Sequence, residues 1–483
     1  MLTTEGFGFL AESKPFILAV TEGFEPSVRG YRTQHFECCT FGRSDTSPDQ
    51  NTLPGKWPTT KTSGPSGQNV PMSTSRVVAR IEPDKLTAEL LRAWSWHRQG
   101  LDGRMAGLTA PAVLDTVGWA RSVGGANAYL TLFARAGIGR ADADAALAEQ
   151  EIHELPTARG CTYVLPASDY AWGLQIGHSS AEAAVKVLMR LGVERSEIES
   201  LSQEVLQVLR GIRGTDAEAM DPRGLKKILG DKVRNLGDEG KKKGASTTLP
   251  AALGLLQADG RIRRVPVNGR LDQQRYSYVA WELEGTGESD DVVRARMLER
   301  FLRWTGGATL GQIRWFTAFT VAQTKAALAA VGAVEIDTAA GDQLWLRPAD
   351  VKALTAFEAP SAEDIQLLSG SDSLVLLRRN SADLFDEAGK IAVAGMSGSA
   401  LAADLSDHPI LDRGRIIGLW QYDPENSRIA WWTFDPASPA VRERITQVEQ
   451  WITEDLADFR SFSLDSPTSR AKDIAKLDAR RLA

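Results

Sequence analysis

The chain has 483 residues, 43% of them hydrophobic and 24% charged, so it can bury cores for about two to four domains and is too apolar to be a disordered chain. A formal net charge of -6 argues against nonspecific coating of nucleic acid or anionic membrane, yet leaves room for a local basic face on an acidic body. Cys38 and Cys39 are adjacent and only one other cysteine exists, which excludes a disulfide framework or a cysteine-based zinc site and fits a reducing cytosol.

Residues 1–71 are rich in Pro, Gly, Ser and Thr and show no sustained period, so they read as an unpacked leader. The wording "VTEGFEPSVRG" resembles translated non-coding DNA; a start at Met72 is the reading, and a genuine disordered arm the alternative. The apolar run "FILAV" is too short to span a membrane and lacks the features of a signal peptide. A soluble, cytoplasmic protein with no membrane partner is therefore expected. Histidines 97, 153, 178 and 408 show no metal-binding spacing, so neither metal nor cofactor is expected.

Residues 72–175 read as an N-terminal helix, with Leu86, Leu90, Leu91 and Trp94 at helical spacing and Asp84 placed to cap it, followed by a winged helix. Its helices are Ala110 to Arg121, "NAYLTLFARAG" and "GRADADAALAEQ", and "RGCTYVLPASDY" is extended. The pattern recurs over 176–285: "DPRGLKKIL", a second helix ending at Gly260, and a hairpin turning at Asn268-Gly269. A third pass over 286–358 has helices from Thr309 and Val321 and the strands "AVEID" and "QLWLRP". Residues 359–462 read as a β-domain with strands "SLVLLRR", "GRIIGLWQYD" and "RIAWWTFD" and one covering helix, and 463–483 as a polar, frayed tail. The fold class is α+β: tandem winged helix-turn-helix modules followed by a small C-terminal β-domain.

Charge is concentrated in the second module. Arg223, Lys226, Lys227, Lys232, Arg234, Lys241, Lys242 and Lys243 precede its second helix, and Arg261, Arg263, Arg264, Arg270 and Arg275 lie in its wing. A winged helix places one helix in the major groove and wing cations on flanking phosphates, and Thr247 and Thr248 open that helix where hydroxyls and free N–H groups can meet a phosphate. Double-stranded DNA is the expected partner, a merely solvated basic surface the alternative. "GDEGKKKGAST" fails the phosphate-loop spacing and "GMSGSA" fails the nucleophile-elbow spacing, so both are read as loops.

The wording "YLTLFARAGIGRADADAALAEQ", "ARGCTYVLP", "SGSDSLVLLRRN" and "GRIIGLWQYD" resembles the AlkZ/YcaQ family of bacterial winged-helix DNA glycosylases, over roughly Ile81 to Phe462. The resemblance implies three winged helices forming a concave DNA-gripping surface, and a Gln-x-Gln or Gln-x-Asp pair that assists excision of alkylated or cross-linked purines. Here the pair falls at Arg121 and Val123, and the family's Thr-Leu-His becomes Cys161-Thr162-Tyr163. An oxocarbenium-like sugar needs acceptor oxygens; Arg offers only donors and a fixed positive charge, and Val offers nothing polar. The family's catalytic roles are therefore not carried to these positions, and Arg121 is read instead as a phosphate contact or a core ion-pair partner.

Asp102, Asn127, His153 and Glu154 are polar residues the fold can bring near the cleft, with Glu154 the best water activator and ordinary structural roles the alternative for each. Trp94, Trp96, Trp119, Trp315 and Tyr129 could stack on an unstacked base, although aromatics at helical spacing usually fill cores. The leading expectation is a duplex-DNA binder on a glycosylase-like scaffold, nucleoid-associated, sensing or repairing damage. The alternatives are an active glycosylase with a relocated catalytic group and a transcriptional regulator. The Ala-, Gly- and Arg-rich wording fits a bacterium with GC-rich DNA.

Overall fold

The computed structural model describes residues 82–122, 124–211, 218–272, 275–379, 381–397, 405, 407–457, 459–462 and 465–482, so the leader reading of 1–71 lies outside the described residues. Helix α1 (Ala88–Arg98) opens at Thr87, whose hydroxyl accepts the Leu90 N–H at 3.2 Å; Thr87 rather than Asp84 is the cap. Then come α2 (Ala110–Val117), β1 (Ala120–Arg121), α3 (Asn127–Ala136), α4 (Arg140–Ala148) and the hairpin β2 (Ile152–Pro156) and β3 (Thr162–Pro166), in a sheet ordered β1-β3-β2. The helix expected to reach Arg121 stops at Val117 because Gly118 has φ +106° and packs against the Trp304 indole, 3.1 Å from where a Cβ would stand. Arg121 therefore lies on a strand, opposite Tyr163.

The second unit contains α5 (Tyr170–Arg190), α6 (Arg195–Gly211), α7 (Pro222–Leu229), α8 (Gly237–Lys242), α9 (Leu249–Ala258), β4 (Ile262–Pro266) and β5 (Tyr276–Ala280). Helix α5 runs unbroken through the boundary expected at 175/176. The β4–β5 connection turns at Asn268 and Gly269, both at positive φ (65° and 67°). The third unit has α10 (Asp290–Thr305), α11 (Leu310–Thr317), α12 (Val321–Val331), β6 (Val334–Asp337) and β7 (Gln343–Leu346), with capping boxes at Thr309 and Thr320 fixing both helix starts. In every unit the residue ahead of the middle helices pairs antiparallel with the last hairpin strand: Ala120 with Val164, Met220 with Tyr278, Ala308 with Trp345. A shared backbone plan thus stands behind three dissimilar stretches.

The C-terminal part comprises α13 (Pro348–Thr355), β8 (Ile365–Leu367), α14 (Ser373–Leu376), α15 (Glu387–Ser397), β9 (His408–Asp412), β10 (Arg415–Asp423), β11 (Arg428–Thr433), α16 (Pro439–Trp451) and α17 (Pro467–Leu482), with an antiparallel sheet ordered β11-β10-β9-β8. The "SLVLLRR" run is not a strand. Its start is α14, because the Asp372 carboxylate accepts the Leu374 N–H at 2.9 Å and caps a helical turn. Nor is the tail frayed: α17 packs on β10 and β11, burying Leu477 and pairing Asp478 with Arg428 at 2.6 Å.

One core joins α2, α3 and α4 to β10, β11 and α16, through Val113, Tyr129, Leu130, Trp420 and Val448 among others, whereas the second unit keeps a core of its own around Val205, Leu225, Ala252 and Ile262. Between α3 and the C-terminal part lies the fully buried Arg135–Asp372 pair, two-pronged at 2.8 Å each. Gln99 accepts from Arg135 Nη2 at 3.0 Å and donates to the Val117 and Trp304 carbonyls, extending this contact to the third unit.

Candidate nucleic-acid interface and a buried carboxyl

The lysine-rich stretch of the second unit is largely neutralised by its own acids. Lys241 pairs with Asp238 (3.4 Å), Lys242 with Glu239 (2.6 Å), Arg234 with Glu197 (3.2 Å), and Lys232 with Glu204. Lys226, Lys227, Lys243, Arg223, Arg261 and Arg275 are exposed. The helix that was to enter a groove cannot: every residue of α9 except Pro250 and Gly254 is buried. Thr247 and Thr248 at its start are buried as well, and the Thr248 hydroxyl accepts the Arg234 N–H at 3.1 Å, so neither offers a phosphate seat. Arg263 is buried, and Arg270 is clasped by Asp272 and donates to the Leu456 carbonyl at 3.3 Å. The hairpin tip is instead a strut against the first unit, where Tyr129 Oη accepts the Leu271 N–H at 2.9 Å.

A second set of cations meets from distant parts of the chain. Half-buried Arg121 lies over the Tyr163 ring (5.3 Å) and Arg159, at the tip of the first hairpin, over half-buried Trp315 of α11 (3.9 Å), with Arg379 on the same indole at 6.0 Å. Burial pushes the Tyr163 phenol up, and both Arg121 and Arg159 pull against it, which places the two guanidinium groups around one ring. Arg159 and Arg379 both hold φ near +60°, a conformation costing a non-glycine residue roughly 1–3 kcal/mol. Trp315 is the one aromatic among the five candidates that reaches solvent; Trp94, Trp96, Trp119 and Tyr129 are each at most 3% exposed.

On the other face of the β1-β3-β2 sheet from Arg121 and Tyr163, β2 meets the second unit's hairpin. Glu154 is 1% exposed; the Ser122 hydroxyl donates to its Oε1, and its Oε2 has no hydrogen-bond partner. Arg264 lies over the Tyr276 ring at 4.8 Å and donates to Thr162 Oγ1 at 3.3 Å, and Tyr276 is hydrogen-bonded to Ser122. Desolvation pushes the Glu154 carboxyl up to about 7, against the pull of Ser122 and Arg264. Its neighbour His153 faces the rings of Tyr170 and Trp281, with both ring nitrogens unpartnered; desolvation, then Arg263 and Arg264, hold it down at about 3, so it is neutral and no proton shuttle.

The remaining candidates have structural tasks. Asn127 donates to the Arg121 carbonyl at 2.7 Å and fixes the end of β1, and Asp102 pairs with His97 (2.7 Å) and Arg104 (3.4 Å). Val123 lies outside the described residues. Sequence reasoning missed Ser122, Arg159, Tyr276 and Arg379; for Ser122 the available signal was its place in the middle of the substituted pair. Among the described residues no cluster of His, Cys, Asp or Glu could hold a metal, and no helix is long and apolar enough to cross a membrane.

Residues 103–459 match the family described as "DNA glycosylase AlkZ-like". Among solved structures the fold is similar to the Streptomyces sahachiroi DNA glycosylase AlkZ, with TM-score 0.57 and 17% sequence identity over 75% of this chain and 95% of that one. No curated protein matches.

Proposed function

The chain belongs to the AlkZ-like DNA glycosylase family, and from that premise we propose that it grips duplex DNA in the manner of tandem winged helices, as a damage-sensing or repair protein. The observation that carries this reading is the convergence of Arg121, Arg159 and Arg379 around Tyr163 and Trp315, cations from the first hairpin's sheet, its tip and the C-terminal part gathered at one seam. Guanidinium groups so gathered offer a phosphate backbone several charge-assisted contacts at once, and binding there releases the backbone's counterions. Strained backbones at Arg159 and Arg379 favour the same view, because such conformations persist where function requires them.

An operator-reading regulator needs a groove helix with polar side chains on its outer face. Helix α9 is buried, α4 exposes Asp142 beside Ala141, Ala145 and Ala148, and the exposed side of α12 is chiefly Ala322, Ala326, Ala329 and Ala330, with Lys325 its one exposed charge. Backbone gripping is therefore favoured over base reading. A titration of undamaged duplex at two salt concentrations tests it: binding should weaken steeply with salt and depend little on sequence, and salt-insensitive binding would sink it. A second reading, excision of a damaged base, is favoured by the unsatisfied carboxyl oxygen of Glu154.

A further inference from the structure

Two chain crossings join the second unit to the rest of the molecule, and they lie side by side. One is α5, whose Leu174 belongs to the core shared by the first and third units and whose Val185 belongs to the second unit's own core. Between those residues α5 buries only Gly177, at the head of Gly177-His178-Ser179-Ser180, and helices bend where glycine and serine sit together. The other crossing is the irregular return from β5 to α10, residues 281–289. Gln175 pins the two together: its Oε1 accepts from the Thr286 hydroxyl at 2.7 Å, and its Nε2 donates to the Glu288 carbonyl at 3.1 Å. Crossings pinned at one place define an axis of rotation.

Beyond those crossings the second unit is held to the first chiefly by polar contacts. Tyr129 Oη accepts the Leu271 N–H at 2.9 Å, Arg270 reaches the Leu456 carbonyl at 3.3 Å, and Arg264 donates to Thr162 Oγ1 at 3.3 Å. Among the described residues of the second unit, Leu271 is the one that joins the first unit's core. The junction is also poorly satisfied: Glu154 Oε2 and both ring nitrogens of His153 on β2, with Arg264 Nε on the facing β4, are buried without hydrogen-bond partners. Each such atom penalises the docked arrangement, and water lifts the penalty when the surfaces part.

We propose that the second unit is a hinged arm, which swings as one body about the pinned crossings at Gln175 and Gly177 and undocks the β4–β5 hairpin from β2 and the Tyr129 hydroxyl. A core of its own lets the unit move without unfolding. The swing has a consequence for charge, because Arg121, Arg159 and Arg379 stay with the body while the exposed Lys226, Lys227 and Lys243 travel with the arm. The spacing between the two sets of cations is thus adjustable. This holds whether or not the protein grips DNA.

The test uses the full chain without ligand, carrying a dye pair attached through azidophenylalanine at the exposed positions Lys227 on α7 and Lys352 on α13, and reads single-molecule energy transfer. The wild type should show a docked population and an undocked one of roughly 1–10%. Y129F/R270A, which removes two of the ties, should raise the undocked-to-docked ratio about tenfold or more. H153F keeps a buried ring while removing both unpartnered nitrogens, so it should lower that ratio about tenfold. Hydrogen exchange separates swinging from unfolding: amides of α9 should keep their wild-type protection in Y129F/R270A. A ratio that neither variant moves, or loss of α9 protection in step with the undocked population, would overturn the proposal.

Discussion

Two basic regions of this molecule differ in how their charge is arranged. From Arg223 to Lys243 the cations are dense along the chain, but acids three residues away, or on the facing helix, take up Lys232, Arg234, Lys241 and Lys242. At the seam the cations are sparse in sequence, and Arg121, Arg159 and Arg379 are brought together by the fold over aromatic rings. Charge density in a sequence therefore overstates the field where partners sit within a helical turn, and understates it where chain topology gathers residues more than 200 positions apart.

The contrast is sharpened most by pH. Glu154 has a folded pKa of about 7 above its ordinary value, so its burial penalty vanishes as pH falls from 7 to 4.5; His153, held at about 3, loses stability as pH falls below 6.5. Going from pH 7.5 to 4.5, His153→Phe should gain about 3 kcal/mol relative to wild type in urea unfolding, and E154Q should lose about 3 kcal/mol. If neither variant departs from the wild-type pH response, β2 beside the seam holds no displaced titrating groups and that part of the comparison breaks. Next in size, a triple R121A/R159A/R379A variant should weaken duplex binding by roughly 100-fold at physiological salt and flatten the log–log salt slope by roughly 3. Trp315→Ala, which removes the ring that both guanidinium groups share, should cost about tenfold in the same titration. The smallest effect belongs to K241A/K242A, under roughly threefold, since exposed pairs already spend that charge locally. A larger loss there than in the arginine triple would reverse the ranking of the two regions.

Much of the fold was legible because local chemistry announces it. Thr309 and Thr320 with Gln three residues later, and Asn268-Gly269 between alternating strands, fixed element ends without tertiary help. The four apolar letters after Ser373 suited a strand or a helix equally, and only the cap at Asp372 decides. In α17 the buried positions Ile474 and Leu477 are too few among charges to advertise a core-facing side. Glu154 was visible as a carboxylate beside a hairpin, but its partners come from the residue just past β1 and from β4 and β5, and pairings across units leave no trace in spacing. The same blindness led to α9 being read as a groove helix, when its apolar letters all the way round already suited burial on every side.

The Arg135–Asp372 contact has a practical corollary for anyone trimming the gene. A fragment ending after the third unit, near residue 358, would strand a guanidinium in a dry interior with its counter-ion deleted, a loss of about 3–5 kcal/mol before any apolar contact is counted. The first unit and the final sheet are thus one purchase in evolutionary terms, and a shortened clone should emerge from expression as aggregate rather than as a smaller working tool.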